Sequence, residues 1–191
     1  MSTADERAAR VLAGVTYLRI ALVPVVMALV LVGDEQPHAY VIAATLFAIA
    51  AITDLVDGFL ARRWAQATTL GSFLDTTADK LLVSGVLLAL VAVGRASPWI
   101  AFVIIGRELL ILGLRGAVAA GGTVMAPSIW GKLKANAQFL AIFLAIVQPS
   151  SDIGPFSIDE WAMGVAAALT IVSAVEYLAR FASVFAPRAR R

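Results

Sequence analysis

Six apolar runs, at about 11 to 32, 39 to 61, 71 to 93, 98 to 120, 130 to 148 and 159 to 181, alternate with short breaks along the chain. Each run is close to the roughly 20 residues a helix needs to cross the hydrocarbon of a bilayer. The breaks are GDEQPH, RRWAQATT, GRASP, GGTVMAPS and QPSSDIGPFS, rich in the Gly, Pro, Ser and Asp that interrupt helices. The pattern predicts an all-α integral membrane protein with six transmembrane helices, and an even number of crossings leaves both termini on one side. Residues 1–191 read as a single membrane domain, with a short N-terminal segment at 1–10 and a basic tail at 182–191.

Composition agrees with that pattern. The chain is 61% hydrophobic and 15% charged, where soluble domains are about 45 to 50% apolar and about 25% charged. With no cysteine there is no disulfide framework and no thiolate site for zinc. His38, the one histidine, falls in a short polar break and reads as a solvated loop residue. The opening MSTADERAAR lacks an apolar run followed by a cleavage site, so no removable signal peptide is expected. Residues 4 to 12, ADERAARVL, read either as a short helix on the membrane surface or as a fraying terminus.

Charge placement orients the six runs. With the termini on one face, Arg7, Arg10, Arg62, Arg63, Arg115, Lys132, Lys134, Arg180, Arg188, Arg190 and Arg191 fall on or near it, and Arg95 falls on the other. The positive-inside rule then puts the termini and the second and fourth loops in the cytoplasm. Trp64, Trp99, Trp130 and Trp161 land at predicted helix ends, where amphipathic rings favour the interface. Gly85, Gly94, Gly106 and Gly113 read as points of close helix packing.

Against this apolar background, residues 54 to 79, DLVDGFLARRWAQATTLGSFLDTTAD, carry four aspartates at fixed intervals. Asp54, Asp57 and Ala61 fall at i, i+3 and i+7, and Gly71, Asp75 and Asp79 at i, i+4 and i+8, one stripe on each of two consecutive helices. Four carboxylates brought together need cations between them, and an all-oxygen set of hard ligands suits Mg²⁺ or Mn²⁺. Gly58 and Gly71 clear space for close backbone approach, and Arg62 supplies a planar fork for phosphate oxygens. Metal, backbone and arginine together describe a pyrophosphate cradle at the cytoplasmic ends of the second and third helices. Lys80, next to the last aspartate, reads as local charge balance, and Arg19, inside the first helix, needs a partner or a hydrated cavity.

A second constellation follows. Arg107, Glu108 and Arg115 lie in the fourth run, and Lys132 and Lys134 open the fifth within GKLKANAQ. Arg107 and Arg115 are eight residues apart, about 12 Å along one helix face, with Glu108 placed to orient one of them. Two arginines and two lysines suit a small phosphomonoester. The other readings are a buried ion pair for Arg107 and Glu108, and topology determinants or headgroup contacts for the lysines.

The arrangement DxxDGxxAR, eight residues, then GxxxDxxxD resembles the signature of the CDP-alcohol phosphotransferase family, with all eight specified residues present in a 26-residue window. GRELLILGLRG and WGKLKANAQ, with DGFLARRW and FLDxxADK, are similar to the bacterial phosphatidylglycerophosphate synthases within it, over roughly residues 15 to 140. The resemblance implies a six-helix homodimer in the bacterial plasma membrane, CDP-diacylglycerol as donor, two Mg²⁺ or Mn²⁺ ions and release of CMP. It implies metal ligands at Asp54, Asp57, Asp75 and Asp79, a donor site at Asp54, Gly58, Ala61, Arg62, Gly71 and Ser72, and Asp79 as general base. The acceptor, sn-glycerol 3-phosphate, would be held through its phosphate by Arg107, Arg115, Lys132 and Lys134. Thr76, Gly116 and Ala135 depart from the pattern, which keeps inositol phosphate and phosphatidylglycerol open as acceptors. A divalent-cation transporter is the alternative from another class, but no inverted repeat of the acidic segment is present and a cation path has no use for the surrounding arginines and lysines.

Overall fold

The computed structural model describes residues 3–64, 69–120, 128–149 and 151–185, and the side chains of 3–13, 37, 54–64, 69–73, 75 and 183–185 lie outside that description. Among the described residues there are six long helices: α1 Thr3–Leu31, α2 Pro37–Trp64, α3 Thr69–Ala92, α4 Pro98–Ala120, α5 Ile129–Val147 and α6 Ile158–Phe185. They match the six apolar runs closely. Their ends follow local chemistry: Pro37 and Pro98 open α2 and α4, where the missing N–H costs nothing. Gly94, at φ 75, turns the chain after α3, and Gln148 ends α5 in the left-handed region while its N–H donates to the Leu144 carbonyl at 2.7 Å. Ser128 caps α5 by accepting from the Gly131 N–H at 3.0 Å.

Three expectations change. Residues 4 to 12 are helical rather than frayed, and they are continuous with α1, which runs unbroken from Thr3. Helix α2 continues to Trp64, so Arg62 and Arg63 are helical rather than in the loop. The break after α5 holds a small antiparallel hairpin, β1 Asp152–Ile153 and β2 Phe156–Ser157, with Asp152 opposite Ser157 and Gly154 at φ 70 in its turn. Glu160 returns to accept from the Ser157 N–H at 2.9 Å, which is the glutamate half of a capping box on the first turn of α6.

Helix α1 packs on α2 and α3, α5 on α2, α3 and α6, and α4 on α3 and α6. The core joins Val26 and Val30, Phe47, Leu82, Val86, Leu87 and Leu90, Ile104, Ile142 and Ile146. A Cβ on Gly85 would sit 2.8 Å from a Val23 methyl and 2.9 Å from the Met27 sulfur, so α1 and α3 approach closely there. Gly94, Gly106 and Gly113 meet nothing within 4 Å of such a Cβ, so they are not the close-packing points expected of them. The outward faces are apolar too, with Val41, Ile52, Phe102, Leu109 and Val175 exposed. Among the described residues, 14–31, 129–147 and 158–182 are long and apolar enough to cross a membrane. In α4 the cluster Arg107, Glu108 and Arg115 breaks up the apolar run.

Candidate active site

Four helices enclose a cavity of about 290 Å³ at one end of the bundle. Helix α3 contributes Asp79 and Lys80, α4 contributes Arg107, Glu108 and Arg115, α5 contributes Lys132, Lys134 and Gln138, and α6 contributes Tyr177. The expected base and all four expected acceptor cations therefore line one space, although they come from three helices. Arg115 and Lys132 are exposed, whereas Lys134 is 4% exposed. The first turn of α5, with Ser128 and Gly131 on the wall, adds the partial positive charge of a helix N-terminus.

Glu108 organises the cations. It is buried, and its carboxylate accepts from Lys134 and Arg107 through Oε1, the latter at 3.1 Å, and from Lys80 through Oε2 at 3.0 Å. The sequence suggests that Glu108 orients one arginine; in fact it ties three cations from three helices. Removing one partner from such a buried set destabilises a fold by about 3 to 5 kcal/mol, because the remaining charges are left uncompensated. Lys80 does balance charge, and among the described residues its partner is Glu108 on the next helix.

Asp79 is half-buried, and its Oδ1 accepts from Arg19 Nη1 at 3.1 Å. Arg19 is 2% exposed, so this cation in the first helix has the partner its position requires. Arg107 donates through Nη2 to Ser173 Oγ on α6 at 2.7 Å, and Gln138 Nε2 donates to Thr170 Oγ1 at 2.8 Å. Ser173, Thr170 and Tyr177 were not picked out by sequence reasoning. Their signal is a polar stripe at i, i+3 and i+7 on an otherwise apolar helix.

The backbone of Asp54, Asp57, Gly58, Ala61 and Arg62 is helical in α2, and that of Gly71, Ser72 and Asp75 in α3. The side chains of these eight residues lie outside the described ones. Among the described residues no group of three or more His, Cys, Asp or Glu stands ready to hold a metal ion.

At the opposite end, Arg95 lies 3.4 Å from the centroid of the Tyr40 ring and donates to the Ile146 carbonyl at 2.8 Å. Tyr40 donates to Asp34 at 2.6 Å. This second polar cluster ties the ends of α2, α3 and α5.

A profile of the family described as CDP-alcohol phosphatidyltransferase matches residues 12–172. A Bacillus subtilis (strain 168) protein named CDP-diacylglycerol--glycerol-3-phosphate 3-phosphatidyltransferase is 40% identical over 177 residues, 87% of this chain and 92% of its own. A protein of the same name from Pectobacterium atrosepticum is 40% identical over 169 residues, 85% of this chain and 90% of its own. A Mycobacterium tuberculosis (strain ATCC 25618 / H37Rv) protein named probable phosphatidylglycerophosphate synthase is 39% identical over 168 residues, 86% of this chain and 78% of its own.

Proposed function

This chain belongs to the CDP-alcohol phosphatidyltransferase family, and on that premise we propose that it transfers the phosphatidyl group of CDP-diacylglycerol to sn-glycerol 3-phosphate, giving phosphatidylglycerophosphate and CMP. The observation that carries this reading is the cavity in which one aspartate, Asp79, shares a wall with Arg107, Arg115, Lys132 and Lys134. A small phosphomonoester needs such a surplus of cations, and its hydroxyl needs a base within reach.

Asp54, Asp57, Asp75 and Asp79 fit a pair of Mg²⁺ or Mn²⁺ ions by the chemistry of the donor set. All are carboxylates, and each pair is spaced to share one stripe of its helix, α2 or α3. When bound, such ions supply positive charge to the pyrophosphate oxygens and to the departing CMP. Gly58, Ala61, Gly71 and Ser72 then form the backbone side of the donor site, and Arg62 faces phosphate.

In the reaction, the 1-hydroxyl of glycerol 3-phosphate attacks the phosphorus that bears diacylglycerol. Its O–H proton passes to Asp79, a new P–O bond forms, and the P–O bond to CMP breaks. Arg19 fixes the Asp79 carboxylate through one oxygen at 3.1 Å. Glu108 holds Lys134 and Arg107 at the wall, so the acceptor phosphate meets donors that are already oriented.

Six helices crossing the plasma membrane, both termini in the cytoplasm and the cavity open to the cytosol complete the proposal, with one domain per chain and two chains per homodimer. Such a site takes its polar acceptor from water and its lipid donor from the bilayer. The test supplies radiolabelled CDP-diacylglycerol and Mg²⁺ with glycerol 3-phosphate, inositol phosphate, phosphatidylglycerol or serine separately. CMP release with glycerol 3-phosphate alone is expected; release with another acceptor alone reassigns the substrate, and release with none removes the reaction.

A further inference from the structure

Helix α6 presents Thr170, Ser173 and Tyr177 as one buried stripe, and the three hydroxyls do not share a fate. Thr170 accepts from Gln138, and Ser173 accepts from Arg107. Tyr177 is 6% exposed and lines the cavity, yet among the described residues its hydroxyl has no hydrogen-bond partner. Arg107 Nε, on the same wall, is a second buried polar atom without one.

A phenol oxygen withdrawn from water with nothing to bond is unfavourable, and phenylalanine would fill the same space without that cost. The protein interior thus gives the hydroxyl no reason to be there, but a ligand in the cavity does. The register supports this. Gln138, at the cavity wall, meets Thr170 midway along α5 and α6, and the chain from Thr170 to Tyr177 climbs toward the end of α5 where Ser128, Gly131 and Lys132 line the wall. Tyr177 lies four residues beyond Ser173, about 6 Å along the axis, and so beyond the level at which Ser173 holds Arg107.

We infer that Tyr177 hydrogen-bonds the acceptor directly and is a specificity-determining residue for a small hydroxylated phosphomonoester; this rests on the reading given under Proposed function and adds a residue from the last helix to it. A phenol O–H donates to a phosphate oxygen and also exchanges hydrogen bonds with an alcohol. Both atoms belong to the same acceptor, and the two sources of the contact are separable by experiment.

The test uses the full-length protein in detergent with CDP-diacylglycerol and Mg²⁺, comparing wild type with Tyr177→Phe. The acceptors are glycerol 3-phosphate and propane-1,3-diol monophosphate, which lacks the 2-hydroxyl. The variant is expected to raise KM for glycerol 3-phosphate about ten- to hundredfold. KM for CDP-diacylglycerol, kcat and the thermal midpoint stay in place, since the hydroxyl bonds nothing in the protein itself. A rise of equal size with both acceptors supports a contact to phosphate; a rise confined to glycerol 3-phosphate supports a contact to the 2-hydroxyl. An unchanged KM for both acceptors, with wild type active, overturns the inference alone. So does a KM rise accompanied by a lowered midpoint and weaker donor binding, which marks a structural role. A wild-type protein that releases no CMP with glycerol 3-phosphate removes the acceptor assignment, and this inference falls with it.

Discussion

Both ends of the bundle carry arginine, tyrosine and a carboxylate, yet they are built to opposite ends. At the Arg95 end the groups close on one another: the guanidinium lies on the Tyr40 ring and donates to a backbone carbonyl, and the phenol donates to Asp34. At the Asp79 end, five basic side chains line a cavity with two carboxylates, and Arg107 Nε and the Tyr177 hydroxyl have no partner among the described residues. A self-satisfied cluster ties helices together. A cluster with surplus donors around open space holds something else.

The largest expected effect is at the Asp79 end: chelating divalent ions with EDTA abolishes CMP release, and added Mg²⁺ or Mn²⁺ restores it. Persistence of turnover in EDTA breaks the proposed role of the aspartates. Next, Asp79→Asn is predicted to lower turnover by about 10² to 10⁴, read as kcat, with some fall in the thermal midpoint because buried Arg19 loses a counter-charge; unchanged turnover removes it as base. Glu108→Gln leaves Lys80, Lys134 and Arg107 without their shared counter-charge. It should cost about 3 to 5 kcal/mol of stability, seen in thermal unfolding, along with a higher KM for glycerol 3-phosphate. Lys132→Ala, at an exposed wall position, should raise the acceptor KM by roughly tenfold, as for one charged hydrogen bond, without shifting the midpoint. The smallest effect belongs to the other end. Arg95→Met is expected to lose about 0.5 to 2 kcal/mol of stability, the worth of its cation–π contact, and to leave kcat and both KM values alone. A kinetic defect in that variant erases the contrast between the two ends.

Helix positions were legible because apolar runs and their breaks are local properties, and the bounds of α4, Pro98–Ala120, coincide with those expected. The hairpin at 152–157 was hidden because two-residue strands leave no period to read. Arg19 announced its need for a partner, since a cation among apolar residues is conspicuous, but not that Asp79, sixty positions away, would meet it. The same holds for Lys80 and Glu108. Tyr177 escaped notice because the sequence cannot show whether a hydroxyl on an apolar helix has found a bond. Arg62 and Arg63 were assigned to a loop because a charged pair reads as the end of an apolar run, while the helix continues through it.

Glu108 has one more effect. Its oxygens take one hydrogen bond each from the ammonium groups of Lys80 and Lys134 and from one guanidinium nitrogen of Arg107, which leaves further N–H groups on these cations for an incoming anion. On the proposed reading, an incoming phosphate joins a set of cations that already carries one resident counter-anion, rather than a bare positive well. The same carboxylate keeps those cations partly neutralised when the pocket is empty, so its pull on a doubly charged molecule is tempered on entry and on release alike.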